Sequence, residues 1–551
     1  MFHHQNYRRA VFPLIIILFS IAGMKALFHP GLFTAHDIWH QVARLYYYSE
    51  AFSDGVFPPY WVSTLAGGFG YPLFFFSYHM PWILGLPFLG IGLDIPTTLK
   101  VLFFLSFLLS GLFMYLFMNN LLRSKFPALL SAIMYLWAPY HFLTIFVGAS
   151  MGIVFVFTFL PLLLLGILLV KDAKNSGVPV FASGLTGIIL SHLEHVLFLS
   201  PIILIFTIWG FTETKYKILF LRNMLFGLVL GLSLSAFYLI PAGYYNQFTK
   251  IHSEAGFSEL YKRNFVNLSQ IIYSKWGYGP IVDNAKNGEM SVQLGIAQWL
   301  SFLGVVILLL TRKLQKQFAK LTLFAMAGFF ISIFLMLDFS LPIWQIIEKI
   351  IALDYPFREL LSLTFIGSAF SGILLISFGK KIQYVIFALI TIAALYTNRN
   401  HIKVNLYTDI PVHSYVESEI TTNSFNEYLP ITADGKLLGQ PVSIAEGDKL
   451  AVSNIKQSTD ELSFTINAPT ATSVSVKQFY FPGQTLYVNN NKYSYEPDKQ
   501  GKINFQSPPG FSSVSVKFED TTIIKISKIT TLLGIAIWLF MSIKAIKLRR
   551  E

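Results

Sequence analysis

Residues 30–72 read PGLFTAHDIWHQVARLYYYSEAFSDGVFPPYWVSTLAGGFGYP, the first polar stretch after an apolar run at 11–28 that itself follows Arg8 and Arg9. A run of that length spans a bilayer core, and cations before it hold the N-terminus on the cytoplasmic side. No small-residue cleavage site closes the run, so it reads as an uncleaved first helix. The polar stretch then begins on the outer face, with Asp37 among His36, His40 and Arg44. A carboxylate beside a bilayer costs free energy unless it is paired or used.

Working outward, the 551 residues are 54% hydrophobic and 13% charged, with a mean hydropathy of +0.57. Apolar runs of bilayer length recur at 98–118, 127–146, 151–170, 222–241, 291–311, 321–337, 360–378, 382–396 and 523–546. The stretch 178–210 is too long for one ordinary span and carries SHLEH in its middle, which predicts two short helices meeting at an outer tip. The expected fold is mainly α: a polytopic helical membrane protein of about 12 transmembrane helices with both termini cytoplasmic. The formal charge of +12 is not a nucleic-acid footprint, because 397–522 holds 10 Lys and Arg against 13 Asp and Glu and the excess cations lie in short loops between apolar runs. That distribution is the one that orients a membrane protein. Zero cysteines exclude disulfides, thiolate metal sites and thiol catalysis.

The segment 72–92 is broken by Pro72, Pro81, Pro87, Gly85, Gly90 and Gly92 and contains His79. It is expected to lie in the membrane interface, as is the amphipathic stretch 341–353 after the polar loop 242–290. In 397–522, ELSFTIN, TSVSVKQFY, KINFQ and SSVSVKF alternate apolar and polar residues between the turn formers APT, FPGQ, NNNK and PPG. Period two with such punctuation predicts an extracytoplasmic β-sandwich. The organisation expected is a transmembrane domain over 1–396 with a first outer loop at 29–71, a β-sandwich domain over 397–522, and a final helix and cytoplasmic tail over 523–551.

The candidate charges all fall at outer helix ends. Asp37 reads as a general base or metal-binding carboxylate, or as the N-cap of a helix starting at Ile38. His192 and His195, three apart with Glu194 between, offer a divalent-metal ligand set or a second carboxylate, or hydrogen-bonding groups at a helix tip; no HExxH spacing accompanies them. Arg358 in DYPFREL reads as a phosphate clamp or as the partner of Glu359 or Asp354. His36, His40, Arg44, Tyr71, His79 and Glu359 complete the expected substrate-binding set. Aromatic residues, 16% of the chain, gather at loop edges such as FPPYW and FFFSYHMPW, where they form an interfacial belt or stack on sugar rings or a polyprenyl chain.

TAHDIWHQ, FPPYW and GGFGYPLFFFSYHMPW after a first helix resemble the GT-C glycosyltransferase superfamily. Within it they most nearly resemble the bacterial and archaeal membrane proteins known as 6-pyruvoyl-tetrahydropterin synthase-related, a label that does not denote pterin chemistry. DYPFREL looks like that group's proline-arginine motif, NEYLP at 426–430 like the start of its outer domain, and YFPGQTLYVNNNKYSYEPDKQGKINFQSPPGFSSVSVKFEDT like its terminal β module. The resemblance implies transfer of a sugar from a polyprenyl-phosphate donor to a glycan, lipid or protein acceptor of the cell envelope, with Asp37 as base and no obligatory cofactor, although some relatives use a metal. It also implies Arg-Gly and an acidic residue in the second outer loop, which FVGASMGIVFVF lacks; either Glu194 supplies that carboxylate or the activity is altered or lost. The alternatives are a lipid or glycolipid flippase and a non-catalytic envelope-assembly scaffold. No inverted repeat or paired mid-helix charges favour transport.

Overall fold

The structure is a computed structural model, and the residues described are 2–251, 260–279, 290–349, 351 and 353–550. The polar loop 242–290 and the stretch 341–353 are thus described only in part, since 252–259, 280–289, 350 and 352 lie outside those residues. Among the described residues seven helices are long and apolar enough to cross a membrane: Ile95–Leu122, Met151–Lys171, Lys217–Leu234, Lys316–Met336, Pro356–Ile376, Lys380–Asn398 and Thr522–Leu548. Lys125–Leu136 and Pro139–Val147, bent by 46°, make an eighth if taken together. Five apolar helices are shorter: Val11–Gly23, Met80–Gly90, Gly177–Ser191, Ser200–Glu213 and Ile296–Leu310. Every stretch expected to cross contains a helix, but several are broken, so length alone supports fewer spans than twelve.

The breaks have local causes. Pro139 brings no N–H and disfavours the α conformation of the residue before it; Ala138 is accordingly extended, at φ −93° and ψ 140°. In 178–210 the chain leaves the helix at His192, extended at φ −164° and ψ 98°, and resumes through His195–Phe198 into Ser200–Glu213. The tip between two short helices is therefore present as expected. Met151–Lys171 and Gly177–Ser191 pack backbone against backbone: a Cβ on Gly184 would overlap the main chain of Leu163. Small residues at such a contact are how membrane helices gain dispersion energy without a hydrophobic drive. Met151–Lys171 and Pro356–Ile376 are buried nearly all round, whereas Thr522–Leu548 exposes Leu532, Leu533 and Phe540, a surface suited to lipid.

Of 72–92, Leu73–Phe76 and Met80–Gly90 are helical, and Leu73, Phe74, Phe75 and Trp82 are buried. The amphipathic stretch forms Leu341–Ile347, with Trp344 packed among Phe198, Tyr261, Phe265 and Leu353 while Ile343 and Ile346 are exposed.

The C-terminal sheets lie between Ala445 and Phe518: one of four strands and one of five, all pairings antiparallel. Alternate residues of both sheets, including Leu462, Phe464 and Ile466 from one and Val474, Val476 and Ile503 from the other, share one core. The asparagine turn is a hairpin loop with Asn489 and Asn490 at φ 50° and 63°, the left-handed pair that a two-residue turn demands. Residues 399–444 join neither sheet. Tyr407–Thr408 pairs with Leu32–Phe33, and Ala66 N–H donates to Ile420 O at 2.7 Å, so this stretch seals against the first loop.

Candidate active site

Pieces of chain distant in sequence enclose a cavity of about 860 Å³ at the bundle end that carries the sheets, with 76–78 and 150–153 among its lining. The main ones are the helix Ile38–Ser53 with Asp37 before it, the tip at 192–200, the turn 354–358, the helix Ala236–Tyr245 and the loop 423–428. Positions 37, 40, 41 and 44 share one face of a helix by their spacing. That face is turned to the cavity because the FVGAS loop fixes its start: His36 N–H donates to Val147 O at 2.9 Å and Asp37 N–H to Gly148 O at 3.0 Å. Buried Gln41 continues the tie, donating to Ala149 O at 3.0 Å and accepting from Tyr78 Oη at 2.7 Å.

Asp37 sits at the N-cap position, yet its side chain makes no capping hydrogen bond. The capping expectation is corrected: the chain geometry is φ −100° and ψ 6°, whereas a capping side chain needs an extended backbone to reach back to the first-turn N–H groups. Its half-buried carboxylate has no hydrogen-bond or ion-pair partner among the described residues and opens on the cavity, where its field reaches Arg44, Tyr78 and Tyr355.

Arg44 lies over the Tyr78 ring at 5.7 Å and donates through Nη2 to Thr422 O at 2.5 Å and through Nε to Thr422 Oγ1 at 3.2 Å. Thr422 is held at φ 59°, a strained conformation for a β-branched residue. Among the described residues no carboxylate lies within ion-pair distance of Arg44. His40 Nδ1 meets Glu419 Oε2 at 2.6 Å, a second tie between this helix and the 419–428 loop.

The opposite wall is an ion cluster. Arg358 Nη1 donates to Glu194 Oε2 at 2.6 Å, Arg358 Nη2 pairs with Asp354 Oδ2, and His192 Nε2 lies 3.2 Å from Nη1. A guanidinium only donates, so His192 accepts there and is neutral; burial, then Arg358 and Arg44, hold its pKa well below the usual value. Burial and then the neighbouring Asp354 push Glu194 well above the usual carboxylate range, against Arg358. Burial likewise raises Asp354.

The structure thus brings together Asp37, His40, Arg44, His192, Glu194 and Arg358 around one cavity. The others are set aside. His36 is exposed, with Nε2 3.1 Å from Tyr278 O. Tyr71 is buried and its Oη accepts from Tyr428 N–H at 3.0 Å. His79 is buried between Tyr48 Oη at 3.1 Å and Phe74 O at 2.9 Å, its pKa lowered to about 3 by burial. Glu359 is buried against Ser332 and Ser362, not Arg358, and His195 is buried behind His192. These five substrate or metal expectations are corrected for one reason: their chain positions point into packed core or out to the surface. One oxygen each of Glu194 and Asp354 is engaged by the Arg358 guanidinium. Among the described residues no group of three or more His, Asp or Glu side chains is arranged to hold a metal ion.

Residues that the sequence did not single out also line the cavity: Tyr78, Tyr238, Tyr355, Asn423, Glu427 and Tyr428. The 354/358 spacing in DYPFR and the NEYLP motif were the available signals. An apolar rim of Leu193, Val196, Leu197, Ile251, Leu260 and Ile351 adjoins these polar groups.

No family model matches the chain, and no curated protein matches it. Among solved structures it is similar to the archaeal oligosaccharyltransferase AglB from Archaeoglobus fulgidus, in complex with an inhibitory peptide and a dolichol-phosphate. The TM-score is 0.37 and the identity 12%, over 80% of this chain and 61% of that one. The chain therefore spans about three fifths of that protein's length.

Proposed function

We propose that this protein transfers a sugar from a polyprenyl-phosphate donor to a glycan, lipid or protein acceptor of the cell envelope, on the outer membrane face, as a glycosyltransferase of GT-C type. The observation that carries the reading is the Asp37 carboxylate, without a partner among the described residues, opening on a cavity that also holds two arginines and an apolar rim. Asp37 accepts the proton of the acceptor hydroxyl as its oxygen bonds to the anomeric carbon. The bond from that carbon to the donor phosphate breaks, and polyprenyl phosphate leaves with the electron pair. Arg44, whose contacts with Thr422 are to uncharged oxygens, and Arg358 offer donors to the phosphate as charge gathers on it. The rim of Leu193, Val196, Leu197 and Ile351 suits the first isoprene units. No step requires a metal, because the phosphate is already a good leaving group.

The test is reconstitution in proteoliposomes with a radiolabelled polyprenyl phosphosugar and an envelope extract as acceptor source. Label appears in an acceptor with the wild type and is nearly lost with Asp37→Asn. Equal transfer by both proteins overturns the assignment of the base, and label that crosses the bilayer without a new glycosidic bond overturns the reaction. The absence of native cysteine makes single-cysteine labelling a clean check of orientation, with position 36 reached from outside and position 215 from inside.

A further inference from the structure

Arg358 is crowded for a residue that meets a ligand phosphate. Asp354, four residues earlier, takes Nη2, and Glu194 Oε2 takes Nη1 at 2.6 Å. No anion reaches Nη1 until Glu194 yields it. The two carboxylates are not held alike. Asp354 belongs to the turn that carries Arg358, and Tyr355 N–H donates to its Oδ1 at 2.5 Å. Glu194 stands on the linker between Gly177–Ser191 and His195–Phe198, and its other oxygen accepts from the Asp354 N–H at 3.3 Å, a long contact, with the Asp354 side chain beside it. That linker forms the cavity edge with Leu193, Val196 and Leu197.

We propose that Glu194 is an exchangeable counter-ion standing in the anion position on Arg358: a phosphodiester lipid headgroup displaces its carboxylate from Nη1, Asp354 stays, and Glu194 takes a proton from water as it leaves the cation. This deepens, and rests on, the polyprenyl-phosphate reading above. The charge balances, because the headgroup brings one negative charge and the proton cancels one. Without the proton, two buried carboxylates and a phosphate would face one guanidinium, an arrangement that burial makes costly. Burial and Asp354 already favour the protonated form of Glu194, and losing contact with Arg358 removes what opposes them. The other titratable or charged groups that face this cluster are Asp354, His192, His195, Tyr140, Tyr355 and Tyr428, with Arg44 and Asp37 across the cavity. His192 and His195 are held neutral, first by burial and then by neighbouring charged or polar groups, and do not compete for the proton. The exchange also unfastens the 192–195 linker from the 354–358 turn, so headgroup arrival loosens the apolar edge that the lipid chain must pass.

The test is calorimetric titration of the full chain in nanodiscs with polyprenyl methyl phosphate, a phosphodiester whose charge does not change near neutrality, in two buffers of different ionisation heat. At pH above the raised value of resting Glu194, where its carboxylate is ionised before binding, wild type takes up a large fraction of one proton per lipid bound and its affinity weakens as pH rises, approaching about tenfold per pH unit; below that value the uptake fades. Glu194→Gln loses the uptake and binds on the order of tenfold tighter, the effect of removing a like charge beside the anion. Asp354→Asn keeps the uptake. Glu194→Ala guards against an amide that reproduces the tie, and the unfolding midpoint of each variant verifies its fold. Binding without proton uptake, failure of both Glu194 variants to bind more tightly, or no binding of the lipid each overturns the proposal. The transfer assay on the same preparation separates the two readings: transfer that persists without proton uptake removes the counter-ion and leaves the glycosyltransferase, whereas loss of transfer from every donor removes both.

Discussion

The two walls of the cavity hold their charges in opposite ways. On the first-loop wall, Arg44 rests on the carbonyl and hydroxyl of Thr422 and on the Tyr78 ring, and Asp37 has no ion-pair partner among the described residues. On the facing wall, Arg358 is engaged by Glu194 and Asp354, and its charge is answered within the chain. One wall keeps its electrostatics unspent for a ligand, and the other is neutralised until something enters. A buried ion network is weak evidence for stability but is damaging to break, whereas uncompensated charge at a cavity signals use.

The largest expected break of this contrast is chemical. Asp37→Asn lowers transfer by about 10²–10⁴-fold while lipid binding and the unfolding midpoint stay near wild type, read in the proteoliposome assay and by thermal unfolding in detergent. On the other wall the damage is to the fold. Arg358→Gln leaves two buried carboxylates unanswered and costs about 3–5 kcal/mol in unfolding free energy, and adding Glu194→Gln recovers a good part of it. Arg44→Gln inverts that emphasis: stability falls by roughly 1.5–3 kcal/mol as Thr422 loses its charged donor, while turnover falls by about 10²–10³-fold through the lost phosphate contact. If Arg44→Gln and Arg358→Gln behave alike in both assays, the two walls do not differ.

The smallest effect is in the pH dependence of stability. Burial raises Glu194 and Asp354, so between the ordinary carboxylate range and their raised values the native state holds more protons than the unfolded state. Stability is therefore greatest on the acid side of that window and declines as pH rises through it. Glu194→Gln flattens this slope relative to wild type, which a series of unfolding midpoints across pH measures directly.

Much of the scaffold was legible because it depends on local pattern. The apolar runs are helical, the period-two stretches ELSFTIN and SSVSVKF are strands Glu461–Ala468 and Gly510–Phe518, and SHLEH marks a helix break. The candidate site was legible where spacing and orientation agree: Asp37, His40 and Arg44 lie on one helix face, and His192, Glu194 and Arg358 are at helix ends that meet. What failed depends on tertiary neighbours. Nothing local distinguishes His79, sealed by Tyr48 and Phe74, from a histidine that lines a cavity. Of the two partners expected for Arg358, Asp354 pairs with it, whereas Glu359 does not, because consecutive residues of a helical turn face different ways; the second partner, Glu194, is 164 residues distant. Residues 399–444 carry no periodicity, so apart from NEYLP nothing in their sequence marks the wall they build with Asn423 and Glu427, which forms by pairing with the first loop.

That pairing has a consequence in time. Leu32–Phe33 can close only on Tyr407–Thr408, and Arg44 can settle only on Thr422. The earliest polar loop to be synthesised thus waits for segments made much later, while the intervening helices enter the bilayer one after another. Contacts of such long sequence separation form late because loop closure must precede them. A ribosome that stalls before residue 422 would leave in the membrane a bundle already folded in its apolar parts but with its cavity unroofed.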